Sequence, residues 1–354
     1  MKNFAFSTFA TLAALIVSVS GQAAEKDSLR ARLGALPYQI IHESYVNGNW
    51  ELFVMNADGS EARNLTNTPG QHEMYPQVSP DGTKVCFVAD EGEGRDTVRS
   101  VHVMDVDGTN RRKLADRARQ PFWHPNSHTV GYLPQEYPKW NVVDYYTKGI
   151  VFYDVDTGKS EPHSNNAKLH HLYNPDFSPD GRWIVATVHA GMGLGHGILL
   201  IEAKGNRIVD LKIPGCRPCL SPTGKEIAWG PGDHEIAVAP INLDADEPKV
   251  GERRLQILDK TKKIYHVDWS PDGRFISLSR GPDGEGDISK RGTHASACEI
   301  VGVYAPGWDI YAVSTERSGQ WDIDDLSDSE AIRLTGNGTS NKESAWFQTA
   351  PKTK

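Results

Sequence analysis

Six times along the chain a short apolar stretch runs into a proline-centred turn, and no other feature restricts the fold as much. The clearest copies are residues 76–82 (Pro-Gln-Val-Ser-Pro-Asp-Gly), 175–181 (Pro-Asp-Phe-Ser-Pro-Asp-Gly), 218–224 (Pro-Cys-Leu-Ser-Pro-Thr-Gly) and 267–273 (Val-Asp-Trp-Ser-Pro-Asp-Gly). Weaker copies stand at 121–127 and 344–350. The Ser-Pro-Asp-Gly step suits a tight turn, because proline presets φ and glycine accepts positive φ. Units spaced by about 40–50 residues, each with its own turn signature, mark a β-propeller.

Each unit reads as four antiparallel strands. After Gly82 comes an alternating stretch at 84–88, a variable loop, then 101–105, an Asp107-Gly108 hairpin turn and 111–114. Later units repeat the pattern at 129–133 with 150–154, 183–188 with 198–202, 226–229 with 235–239, and 275–279 with 309–313. The first unit begins in mid-blade, with 39–42, 50–59 and 63–66, and lacks an innermost strand. Ala345, Trp346 and Phe347 have the pattern to supply it. The expected fold is therefore all-β, a six-bladed propeller closed by strands from both termini, which removes exposed sheet edges. Seven blades is the alternative, should the insertion at 281–307 hide further strands.

At the N-terminus, Lys2, the apolar run 9–19 and the small residues around Gly21 to Ala24 read as a secretory signal peptide, residues 1–24. A lead-in at 25–37 and one propeller domain at 38–354 follow. No later segment approaches the roughly 20 apolar residues of a membrane span, so an exported chain with no membrane span after signal cleavage is expected. The formal net charge is −8 with no basic face, which argues against nucleic acid as a main partner. Four cysteines allow three pairings.

Residues 52–60 (Leu-Phe-Val-Met-Asn-Ala-Asp-Gly-Ser), with Asn64-Leu-Thr66 and Ser79-Pro-Asp-Gly82, resemble the WD40-like repeat propeller of the periplasmic TolB family. The resemblance covers roughly residue 39 to the C-terminus. It departs from the family at the N-terminal side, where TolB carries a separate domain for which this chain has no room. The resemblance implies a periplasmic propeller; related ones serve as protein-binding platforms, peptidase-attached domains, polysaccharide lyases and subunits of redox complexes. In architecture the chain is also similar to the haem-free propeller (beta) subunit of hydrazine synthase, the multi-haem complex of anammox bacteria. That resemblance implies other protein subunits as partners, no cofactor in this chain, and haem on the partner chains.

Loops joining one blade to the next share a face with loops joining second and third strands, around the channel mouth where propellers hold ligands. This face is expected to collect His72, Glu73, Tyr75, Arg117, Arg119, Gln120, His170, His171, Tyr173, Asn174, His189, His196, His234, Tyr265, His266 and His294. Imidazoles so arranged bind a metal or move protons, although no His-Glu-x-x-His spacing occurs. Residues 191–197 lack the lysine of a P-loop and read as a surface loop. Cys216 and Cys219 lack the following histidine of a haem c motif, and form either a disulfide or a thiol pair. The second half of the insertion is apolar enough to pack against another surface, including that of another subunit. No serine-nucleophile elbow is present. The expected function is a non-catalytic scaffold or complex subunit, with no catalytic residues of its own. The alternative is a secreted polysaccharide lyase or hydrolase using the channel-mouth histidines.

Overall fold

The computed structural model describes residues 28–139, 143, 145–284 and 298–349; the expected signal peptide, residues 1–24, and His294 lie outside them. Six sheets form the six blades. Blade 1 contains β1 (Tyr38–Val46), β2 (Asn49–Asn56) and β3 (Arg63–Asn64); blade 2 contains β4 (His72–Val78), β5 (Lys84–Glu91), β6 (Val98–Asp105) and β7 (Arg112–Asp116). Blade 3 contains β8 (Ala118–Trp123), β9 (Thr129–Pro134), β10 (Val151–Asp154) and β11 (Ser160–Pro162). Blade 4 contains β12 (Leu172–Phe177), β13 (Trp183–Gly191), β14 (Leu194–Glu202) and β15 (Ile208–Asp210).

Blade 5 begins with β16 (Cys216–Leu220), β17 (Glu226–Gly232), β18 (Glu235–Pro240) and β19 (Leu255–Leu258). Blade 6 contains β20 (Lys263–Trp269), β21 (Phe275–Gly281), β22 (Asp309–Ser314) and β24 (Ala331–Arg333). The strand missing from blade 1 is β25 (Asn341–Gln348), antiparallel to β1 with Gln39 opposite Phe347 and Ile41 opposite Ala345. The expected closure from both ends is therefore formed.

One element departs from four strands per blade. The excursion between β22 and β24 carries β23 (Gly319–Asp322) across to blade 5, where it pairs parallel with β19 as a fifth strand. The Gly319 N–H donates to the Arg254 carbonyl at 2.8 Å, and Arg254 Nη1 donates to the Thr315 carbonyl at 2.6 Å. These contacts anchor the crossing at its start.

The turn signature works as its residue types suggest. Ser79 Oγ donates to Asp81 at 2.6 Å and accepts from the Lys84 N–H at 2.9 Å, while Gly82 takes a φ of 71°. Ser178 with Asp180, and Ser270 with Asp272, repeat the arrangement. A side chain at Gly82 would also strike the backbone of Gln348 in the neighbouring blade, so this turn requires glycine twice over. Between blades the core is apolar: Trp183, Val185 and Leu200 of blade 4 pack with Ile227, Trp229 and Ala239 of blade 5. The short helix α1 (Leu29–Gly34) buries Leu29 and Leu33 against blades 1 and 6.

Candidate functional site

Every innermost strand breaks register once, and at each break a non-glycine residue takes a positive φ. These residues are Tyr75 (53°), Gln120 (44°), Asn174 (46°), Arg217 (55°), His266 (58°) and Glu343 (48°), one per blade. A β-bulge re-aims a side chain at a cost in backbone strain. Here the bulges draw polar groups together across the axis. Asn174 Nδ2 donates to Tyr75 Oη at 3.1 Å, and Arg217 Nε donates to Asn174 Oδ1 at 3.3 Å.

Each bulge also frees a backbone N–H, and in three blades the preceding unit supplies its acceptor. Glu43 Oε2 accepts from Tyr75 at 3.0 Å, Gln120 Oε1 from Asn174 at 2.7 Å, and Thr187 Oγ1 from Arg217 at 2.9 Å. Two residues further along, Asp176 accepts from the Leu220 N–H and Asp268 from the Trp346 N–H. Burial pushes the carboxyl of Asp176 up to about 7 and that of Asp268 up to about 6.

Burial, reinforced by the charges of Arg217 and Lys342, holds His266 well below the usual imidazole value, so its ring is neutral. Its Nε2 lies 2.9 Å from Glu343 Oε1, off the line a hydrogen bond requires. The space left in the channel among these groups is about 50 Å³.

Residues 298–304 of the insertion pack beside this ring. Lys342 Nζ, fully buried, donates to the carbonyls of Cys298, Ile300 and Val303 at 3.1, 2.8 and 2.9 Å. Trp50 Nε1 donates to the Gly302 carbonyl at 3.3 Å, and the Tyr304 ring lies 4.3 Å from that of Tyr45. Lys263 pairs with Glu299 at 3.2 Å. Residues 298–304, in the apolar second half of the insertion, thus pack on the chain's own blades.

Between blades 3 and 4 the same face carries an aromatic and imidazole cluster. His170 Nδ1 and His171 Nε2 lie 3.2 and 2.7 Å from the two oxygens of Glu136. Tyr145 lies 4.4 Å from His189, which lies 5.3 Å from His196. Tyr173 Oη is 3.0 Å from His196 Nε2, and the Tyr146 ring is 4.9 Å from Tyr145. Burial, with the His189 charge adding, lowers the affinity of His196 for a proton. Tyr137, 48% exposed, joins at 5.4 Å from Tyr146.

Five of the expected site residues, His170, His171, Tyr173, His189 and His196, therefore converge. Tyr75 and His266 belong to the axial ring instead. His72 accepts from the Trp50 N–H at 3.1 Å and lines a separate cleft with Asn47 and Glu93. Arg119 is buried and donates to the Val143 carbonyl at 3.1 Å, bracing the loop that carries the tyrosines. His234 bonds with the Lys262 carbonyl at the edge of blade 5.

Cys216 and Cys219 flank the Arg217 bulge as free thiols. Cys216 packs at the mouth against a cluster containing Tyr265, Cys298 and Trp308, and Cys219 reaches Asp268. Burial pushes both thiols up, away from the low value of a reactive thiolate. Among the described residues no three His, Cys, Asp or Glu side chains are placed to hold a metal ion.

Sequence reasoning missed Glu136, Tyr137, Tyr145 and Tyr146, although three tyrosines in the one loop between β9 and β10 are a readable signal. It also missed Glu43, Lys342 and Glu343, which look like ordinary strand-edge charges.

No protein-family model matches the chain. TolB of the Tol-Pal system of Paramagnetospirillum magneticum is 26% identical over 157 residues, covering 42% of this chain and 32% of that protein. The match spans about a third of the relative's length. Among solved structures, TolB of Acinetobacter baumannii aligns over 97% of this chain and 74% of its own, with a TM-score of 0.58 and 14% identity. A chain of a nidogen–laminin complex aligns over 87% and 98% respectively, at 0.56 and 10%. Kuenenia stuttgartiensis hydrazine synthase covers 92% of this chain and 50% of that one, at 0.55 and 11%. Identities this low establish a shared fold and nothing finer. No helix among the described residues is long and apolar enough to cross a membrane. By repeat motif, blade topology and these likenesses, the chain is a TolB-like six-bladed β-propeller.

Proposed function

We propose that the protein is exported to the periplasm, or an equivalent compartment, and acts as a non-catalytic platform that binds other proteins through its mouth face. The observation that carries this reading is the aromatic cluster at blades 3 and 4. Tyr137 is the large hydrophobic side chain left exposed among the described residues, and it sits beside Tyr145, Tyr146 and His189. Tyrosines that present a rigid, half-apolar face at low entropy cost are typical anchors of protein interfaces. The axial ring meanwhile leaves only about 50 Å³ in the channel, so the loops are the surface on offer.

In its more specific form the partner is a multi-subunit redox assembly of the hydrazine synthase kind. Haem would be carried by partner chains and no cofactor by this one, in keeping with the lack of a Cys-x-x-Cys-His motif. The similar fold in a nidogen–laminin complex lends support to partner binding, and the likeness to a hydrazine synthase chain to its redox form.

The test is purification from the native host at low salt, with native mass and visible absorption recorded together. A large assembly is expected, and haem absorbance marks the redox form. A colourless monomer overturns the complex. In a recovered complex, Tyr137→Ala with Tyr146→Ala should weaken partner binding by about 2 kcal/mol or more, read by calorimetric titration.

A further inference from the structure

A cavity of about 770 Å³ opens between blades 3 and 4 on the face opposite the mouth, where first-to-second and third-to-fourth strand turns lie. Its origin is local. In blades 3 and 6, Trp123 and Trp269 close the first strand and donate through Nε1 to the preceding blade, at the carbonyls of Gln77 and Cys219. Phe177 holds that place in blade 4, with a smaller ring and no donor. Beside it, β10 has four half-buried residues and β11 three exposed ones, so the outer half of blade 3 leaves the junction open.

The floor of the cavity is aromatic. The Phe177 ring lies 4.8 Å from His124 and 6.0 Å from Phe152, whose own ring is 6.0 Å from His163. The rim is charged. Asp154 Oδ1 is already taken by the Asp156 and Thr157 N–H groups at 3.0 and 2.7 Å. Lys159, Lys204 and Glu161 are exposed and have no ion-pair partner among the described residues. Burial, with the Lys204 charge adding, holds His124 below its usual value and keeps it uncharged. The two ammonium groups face the carboxylates of Asp154 and Glu161, so the rim carries no net charge; Asp154 is turned to the N–H groups of its own loop, which leaves Lys159 and Lys204 as the cations without an ion-pair partner above an apolar floor. Volume and lining both match those of small-molecule sites, concave and largely apolar with a few placed polar groups.

We propose that this cavity binds a planar, ring-bearing organic anion, its ring on Phe152 and Phe177 and its charge met by Lys159 and Lys204. The cavity and the mouth lie on opposite faces, and this proposal stands independently of the mouth's role in partner binding.

The probe is 8-anilinonaphthalene-1-sulfonate, titrated into the folded protein and followed by fluorescence and by the shift in melting temperature. One saturable site is expected. The double variant Lys159→Ala, Lys204→Ala, at two exposed positions, should melt normally and bind on the order of tenfold more weakly. The uncharged analogue N-phenyl-1-naphthylamine should bind the native protein more weakly and ignore the lysine changes. Tyr137→Ala with Tyr146→Ala should leave sulfonate binding unchanged. Absence of a saturable site, undiminished binding in the lysine variant, or loss of binding on changing the tyrosines overturns the proposal.

Discussion

Lys342 shows how much one side chain can organise here. Its ammonium has no contact with water and satisfies three carbonyls of the insertion, while Glu43 and Glu343 supply the nearest countercharges. Burial raises both carboxyls and Lys342 pulls them back down, so the three groups depend on one another. Replacing the lysine with methionine keeps the bulk and removes the charge. Lys342→Met should cost about 3–5 kcal/mol, because buried carboxyls and three carbonyls lose their partner together. Chemical denaturation checks the loss, and faster amide exchange confined to 298–307 would show that the insertion had lifted. An unchanged midpoint would refute this account. In sequence, Lys342 was indistinguishable from a surface charge, because its partners lie some forty residues back and in another blade. The His170–His196 grouping was legible because histidines recur at loop positions that the repeat itself locates. The tyrosines beside them were passed over because the loop that carries them has no repeat to mark it.

At the scale of elements, the inner and second strands were readable from alternation and turn chemistry, both local properties. The fifth strand of blade 5 was not, since Gly319 to Asp322 is only four residues long and carries a single apolar side chain, Trp321. Its place is set by pairing with β19, which no neighbouring residue announces. The strand gives blade 5 a cover that the outer edges of the other blades lack. With the Gly319 N–H on the Arg254 carbonyl, the parallel register puts the Trp321 N–H on the carbonyl of Gln256, so Trp321→Pro removes a ladder donor and should release β23. The expected result is a loss of about 1–3 kcal/mol, together with self-association from the bared edge of β19. Thermal melting and light scattering measure the two effects separately; a variant that stays monomeric would show that β23 does not guard the edge.

For the whole molecule, the ring holds through one seam. Blade 1 is assembled from β1 to β3 and from β25, nearly three hundred residues apart in the chain. A protein cut after residue 340 keeps five complete blades and loses the innermost strand of the first, along with Glu343 and the Asp268 contact to Trp346. It should fail to melt cooperatively and should elute as aggregate on gel filtration. Retention of a sharp transition would mean that the five intact blades suffice.

The same seam imposes an order of events. Whatever leads the chain through a membrane or out of a ribosome, β1 emerges long before its partner and must wait for it with an unpaired inner edge. Closure is the longest-range contact in the fold and so the slowest to form. A polypeptide built this way stays unfinished, and open to holding factors, until its last strand arrives. Its final shape is therefore reached only where the complete chain has been delivered.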